Sequence, residues 1–207
     1  MRFPEATRIH RRMPKEKFYQ FMRFTKAMKT AFTADVDSIY AEYSLTRESL
    51  HFDKESAVKE IIVLLIHLRS ETVNPHILEL IARQNPHKLL FLLAYGEERK
   101  LALYRGKFYS LPWLTEKELP PVPSAFSMDE LWDGLTEAIA LAGDSGGAGF
   151  PIDERLRRKE AIETLHIKIK KWEMKIRKEI QPKKKFALYE EMKPWKEELA
   201  RLTGKKD

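Results

Sequence analysis

Apolar residues fall into two regimes along this chain of 207 residues. Up to about residue 142 they form short dense runs separated by turn residues. Beyond residue 152 they recur every three or four positions among charged side chains. The first regime predicts strands with a few helices, and the second predicts two long amphipathic helices.

In the first regime, residues 14–32 read as one helix. Phe18, Phe21, Met22, Met28 and Phe32 fall at mostly helical spacing, and Pro14 suits a first turn. Residues 36–43 read as a strand with partly broken alternation, with room for one helical turn near residues 46–50. Residues 59–68 are β-branched and leucine-rich, the pattern of a strand buried on both faces. Asn74-Pro75 opens a helix that runs through residue 82 or 83, with Ile77, Leu78 and Ile81 inward, and Asn85-Pro86 ends it. Residues 89–95 form a second buried strand. A turn at Gly96 then leads to a hairpin partner at 100–104, and Gly106 leads to a further strand at 107–111. Residues 112–123 carry Pro120, Pro121 and Pro123 and read as a surface loop. Ser127 caps a helix over 128–141, with Asp129 and Glu130 in its first turn.

In the second regime, residues 153–180 read as one helix. Ile162, Leu165, Ile169, Trp172 and Ile176 step by 3, 4, 3 and 4 residues, a heptad seam. Pro182 breaks it. Leu188, Met192, Trp195, Leu199 and Leu202 step by 4, 3, 4 and 3, a matching seam. Pro194 falls inside this helix, where it removes a hydrogen bond or imposes a kink. The expected architecture is α+β. A small antiparallel or mixed sheet of four or five strands with packed helices fills residues 1–142. A glycine-rich linker spans 143–152, and an antiparallel α-hairpin (a coiled coil) spans 153–207.

Composition sharpens this picture. Hydrophobic residues make up 43% of the chain, enough for a packed core and against global disorder. There is no cysteine, which excludes disulfides, thiolate zinc sites and cysteine nucleophiles. The longest apolar run, residues 61–68, contains His67 and falls far short of the roughly 20 residues a membrane-spanning helix needs. Residues 1–17 are basic and polar, unlike a secretory signal. A cytoplasmic protein with no membrane association is expected.

Charge is segregated. Residues 153–207 hold 18 Lys/Arg against 11 Asp/Glu, and residues 1–30 hold 9 against 2, so each end is +7. The middle is −7, with 11 Lys/Arg against 18 Asp/Glu. Basic ends on an acidic middle point to a polyanion or to docking within an assembly.

The N-terminal residues add a family likeness. Phe3-Pro4-Glu5-Ala6-Thr7-Arg8-Ile9 is followed by Pro14-Lys15-Glu16-Lys17-Phe18-Tyr19. Asp35-Val36-Asp37-Ser38-Ile39-Tyr40, Ser44-Leu45 and Ser49-Leu50 come next. This order resembles the bacterial family known as domain of unknown function 4391. The resemblance continues through the strands at 61–68, 89–95 and 101–104 and through the C-terminal hairpin, nearly the whole chain. It implies a bacterial protein without an established reaction, encoded beside helicases and DNA methyltransferases of restriction or phage-defence loci. It carries over no catalytic residue.

Two basic clusters are candidate contact surfaces. The hairpin turn gathers Lys175, Arg177, Lys178, Lys183, Lys184 and Lys185, which suits salt-sensitive binding to phosphates; Lys168, Lys170 and Lys171 extend the stripe. The bland reading is a solvated face paired with Glu173 and Glu179. The N-terminal arm carries Arg8, His10, Arg11, Arg12, Lys15 and Lys17, and it suits nucleic acid, a partner's acidic surface or this chain's own acidic middle. Trp172 and Trp195 lie on the seams, so they read as core rather than as base-stacking rings.

Catalytic patterns are sparse. A nuclease of the Asp…Glu-x-Lys type needs an acid two residues from a lysine on a core strand, but Ile66-His67-Leu68-Arg69 offers no acid there. His51, His67, His76 and His87 lack metal-ligand spacing, and His10 and His166 are isolated. Residues 143–149 lack the ending of a phosphate loop. The leading reading is a non-catalytic accessory or adaptor subunit of a restriction- or defence-type DNA-processing system. Its sheet domain docks on a helicase or DNA methyltransferase, and its basic hairpin touches DNA or the partner. It uses no cofactor and no metal. The rivals are a degenerate metal-dependent nuclease and a structural adaptor whose hairpin pairs with a second copy in a four-helix bundle.

Overall fold

Seven strands and six α-helices form among the described residues, which in this computed structural model are 1, 3–142 and 149–204. The chain divides into two units, Met1–Ala142 and Gly143–Asp207. Residues 143–148 of the expected linker lie outside the described residues.

The first unit is mixed α+β. Its strands are β1 (Arg8–Arg12), β2 (Val36–Thr46), β3 (Glu60–Leu68), β4 (Lys88–Tyr95), β5 (Glu98–Arg105), β6 (Lys107–Ser110) and β7 (Leu114–Thr115). They lie in the order β1-β2-β3-β4-β5-β6, with β7 pairing β5. The two apolar runs become the central pair β3 and β4, which are parallel; the other pairings are antiparallel. A parallel pair needs a crossover, and the helix Pro75–Gln84 supplies it, capped by Asn74, whose side chain accepts from His76 N.

Three further helices belong to this unit. α1 (Lys15–Phe21) and α2 (Lys26–Asp35) precede β2, α3 is the crossover helix, and α4 (Met128–Ala140) follows the proline loop. Phe18, Phe32, Ile77, Leu78 and Ile81 from α1, α2 and α3 pack with Ile39, Leu64, Ile66, Phe91 and Leu93 on one sheet face. α4 covers part of the other face. There Arg105 Nη1 lies 2.5 Å from Asp133 and Lys88 Nζ lies 5.9 Å over the Trp132 ring.

Three expectations need correction. The helix expected over 14–32 is two helices, because Thr25 starts a second one by accepting a hydrogen bond from Met28 N. The sheet has seven strands rather than four or five. The arm residues Arg8–Arg12 pair with β2 as an edge strand, which shows no apolar alternation because all five residues are exposed. The proline loop is not wholly unpacked either: β7 pairs with β5, and Leu119 is buried.

The first turn of α4 anchors the segment before β3. Asp129 accepts from Ala57 N at 3.0 Å and from Val58 N at 2.9 Å, while Ser56 Oγ accepts from Met128 N at 3.1 Å. Asp129→Ala strips a charged acceptor from two backbone donors. It is expected to cost about 2 kcal/mol in chemical denaturation and to speed amide exchange at Ala57 and Val58.

The second unit contains α5 (Ile152–Lys178) and α6 (Pro182–Thr203) in succession. They run antiparallel: Arg158 donates to the Leu202 carbonyl, and Lys196 pairs with Glu173 at 3.2 Å. Ile169, Ile176 and Met192 are buried along the contact, with Trp172, Leu188, Trp195 and Leu199 packed against them. Pro182 opens α6 from its first turn, and the helix continues through Pro194. Pro194 has no N–H for the Glu190 carbonyl, which lies on an exposed turn where water can take its place.

Candidate functional site

The turn between α5 and α6 gathers the six cations expected there. Lys175, Arg177 and Lys178 close α5, where positive charge complements the negative end of the helix. Lys183, Lys184 and Lys185 open α6, where the same charge opposes the positive helix end. That first turn holds no acidic residue, and Gln181 makes no side-chain cap. Helix stability therefore gives no reason for three lysines at this position.

The expected neutralising partners are engaged elsewhere. Glu173 pairs with Lys196, and Glu179 Oε1 accepts from Gln181 N at 2.9 Å. Among the described residues, Arg177, Lys178, Lys183, Lys184 and Lys185 form no ion pair and are exposed. Lys175 stands apart: its Nζ lies 3.7 Å from the centre of the Trp172 ring, as Lys168 does over Trp195. The two indoles meet edge to face, their centres 5.0 Å apart.

Apolar side chains surround the tip cations. Ile180 is 91% exposed, Phe186 68% and Tyr189 51%. The sequence reading missed these residues. The available signal was their place off the seam, since Phe186 and Tyr189 flank Leu188 rather than joining its step of four to Met192.

The N-terminal cations split into used and free-standing groups. Arg8 is held by Glu42, with Nε 2.9 Å from Oε1, and by Glu5 at 3.5 Å. These carboxylates raise the Arg8 guanidinium further above its usual range. Lys15 donates to the Val36 carbonyl. Burial lowers its ammonium pKa, Arg69 lowers it further, and Asp37 and Glu16 oppose the shift. Arg11 and Arg12 on β1 and Lys17 on α1 are exposed. The structure thus engages Arg8 and Lys15 with other groups of the fold and leaves Arg11, Arg12 and Lys17 exposed on the surface. Among the described residues, no three of His, Asp and Glu converge on a point that could hold a metal ion.

A family model described as domain of unknown function (DUF4391) matches residues 1–199. The chain belongs to that family. The match takes in the sheet unit, α5 and most of α6, so the basic turn is part of the DUF4391 domain rather than an addition to it. No curated protein and no solved structure matches the chain. No helix among the described residues is long and apolar enough to cross a membrane.

Proposed function

We propose that this DUF4391 protein is a non-catalytic accessory subunit of a DNA-processing system and that the α5–α6 tip is its DNA contact. The observation that carries this reading is the tip itself. Arg177, Lys178, Lys183, Lys184 and Lys185 are unpaired among the described residues, three of them oppose the helix end they occupy, and exposed Phe186 and Tyr189 lie beside them. Cations of this kind neutralise phosphates without reading sequence. The two rings supply surface for sugars or unpaired bases. In this reading the hairpin is a two-stranded coiled coil whose seam holds the tip cations at one end. The sheet unit docks on a larger protein in the bacterial cytoplasm, a helicase or a DNA methyltransferase, as the family resemblance implies.

Binding to a short duplex measured against salt tests the reading. Affinity is expected to fall steeply between about 50 and 200 mM salt. The triple change Lys183→Glu, Lys184→Glu and Lys185→Glu should flatten the log–log slope by about 3 and weaken binding more than about tenfold at low salt. Its helical circular dichroism should stay that of the wild type. No affinity at about 50 mM salt, or a triple variant that binds like the wild type, would remove the tip from the interface.

A further inference from the structure

Two register shifts meet at one place on the sheet edge. The β1–β2 pairing shifts between Arg8 and Arg11, and the β2–β3 pairing shifts between Ala41 and Tyr43. Such bulges re-aim a side chain. The side chain they bring inward is Glu42, 7% exposed. Its Oε1 accepts from Arg8 Nε at 2.9 Å, and its Oε2 lies 2.7 Å from His10 Nδ1. A carboxylate only accepts, so Nδ1 carries the proton and the ring orientation is fixed.

His10 itself is held in an unusual way. Its φ is 39°, the left-handed region that non-glycine residues avoid. Its ring stacks on Tyr40, the centres 4.9 Å apart and the planes 12° from parallel. Tyr40 in turn meets His67 edge on, at 6.0 Å and 87°. Arg12 sits directly opposite Tyr40 in register, so the two share a sheet face. The result is a ring ladder across β1, β2 and β3, ending in an imidazole whose side chain is 54% exposed.

Fastening β1 does not require this arrangement. The backbone ladder and the Arg8–Glu42 pair already tie the two strands. A left-handed backbone, a carboxylate and a stacked tyrosine serve instead to fix one exposed ring in one plane. A ring fixed in advance loses little freedom when a flat ligand lies on it. Arg8 offsets part of the Glu42 and Glu5 charge, and with the exposed Arg11 and Arg12 the cations outnumber these two carboxylates, so the edge attracts an approaching phosphate.

We propose that His10 is a stacking platform for an unpaired base of single-stranded nucleic acid, with Arg12 as the adjoining phosphate contact. This rests on the nucleic-acid reading above but places a second site, with its own preference for unpaired strands, on the sheet unit.

The full chain is titrated with a short single-stranded oligonucleotide and, separately, with a duplex. His10→Ala should weaken the single strand about tenfold and leave the duplex unchanged. His10→Gly accepts the left-handed backbone without strain, so the same loss in that variant cannot come from a distorted strand. His10→Phe keeps a ring that can stack but gives up the Glu42 bond that fixes its plane, so it should bind the single strand better than His10→Ala and less well than the wild type. Unchanged single-strand binding in the Ala and Gly variants overturns the proposal. So does failure of His10→Phe alongside His10→Ala, which would make the contact one of charge. Displacement of the oligonucleotide by an acidic peptide, with exchange protection of the β1 amides, would assign this edge to strand addition and overturn it too. If duplex binding is absent while single-strand binding follows His10, the tip reading fails and this one stands.

Discussion

Phe32→Ala is expected to lower the stability of the sheet unit by about 4 kcal/mol. Phe32 is fully buried, and its ring meets Phe24 at 5.6 Å, Phe18 at 5.9 Å and Tyr19 at 6.2 Å between centres. One side chain from α2 thus gathers α1, the break between the helices and the sheet. Alanine would leave a cavity among groups already tied to other elements: Tyr19 is hydrogen-bonded to Thr33, and Arg23 N donates to Gln84. Such surroundings collapse poorly, and poor collapse makes a truncation expensive. The chain has two units, so a single global transition is not assumed. Amide exchange in β2, β3 and β4 reads the unit directly. Loss of less than about 1 kcal/mol would show that the ring cluster repacks and is not the anchor of the first helices.

That anchor also shows where sequence pattern suffices and where it fails. β3 and β4 were legible because strands covered on both faces leave unbroken apolar runs, and α3 and α4 because Asn74 and Ser127 cap them. The two hairpin helices were legible from their seams, and the tip cations from their clustering. β1 was not legible. An edge strand with five exposed residues is held by backbone pairing and by Glu42, which lies 32 residues beyond His10. Nothing local in Arg-Ile-His-Arg-Arg announces that partner. The His10 platform was hidden for the same reason, since its ring ladder draws one residue from each of three strands. The break before Thr25 was hidden because Phe18, Phe21, Met22, Met28 and Phe32 keep a nearly helical period across it.

The tip and the platform make different demands on the fold. The platform sits on a sheet edge where Glu42, Tyr40 and the backbone restrain one ring, so its contribution should appear as selectivity for unpaired strands. The tip rests on far less. Among the described residues, the buried cluster along the α5–α6 contact holds Ile169, Ile176 and Met192, so each packed ring beside them carries a large share of the hairpin's stability.

Trp172→Ala is therefore expected to cost about 3 kcal/mol. Trp172 meets Trp195 edge to face at 5.0 Å, a geometry worth about 1 kcal/mol beyond burial. Alanine also removes the ring under Lys175. Trp172→Phe should cost much less. It keeps an aromatic ring in the seam and discards Nε1, which is buried and has no hydrogen-bond partner among the described residues. Urea titration followed by far-ultraviolet circular dichroism separates the two variants, because α5 and α6 supply much of the helical signal. The pair also separates folding from contact. Trp172→Ala should weaken duplex binding and lose helix together, because the tip lysines no longer share one end. The glutamate triple variant should lose binding with its helices intact. If Trp172→Ala instead keeps full helicity and full affinity, the indoles do not hold the hairpin and the seam is not what places the cations together.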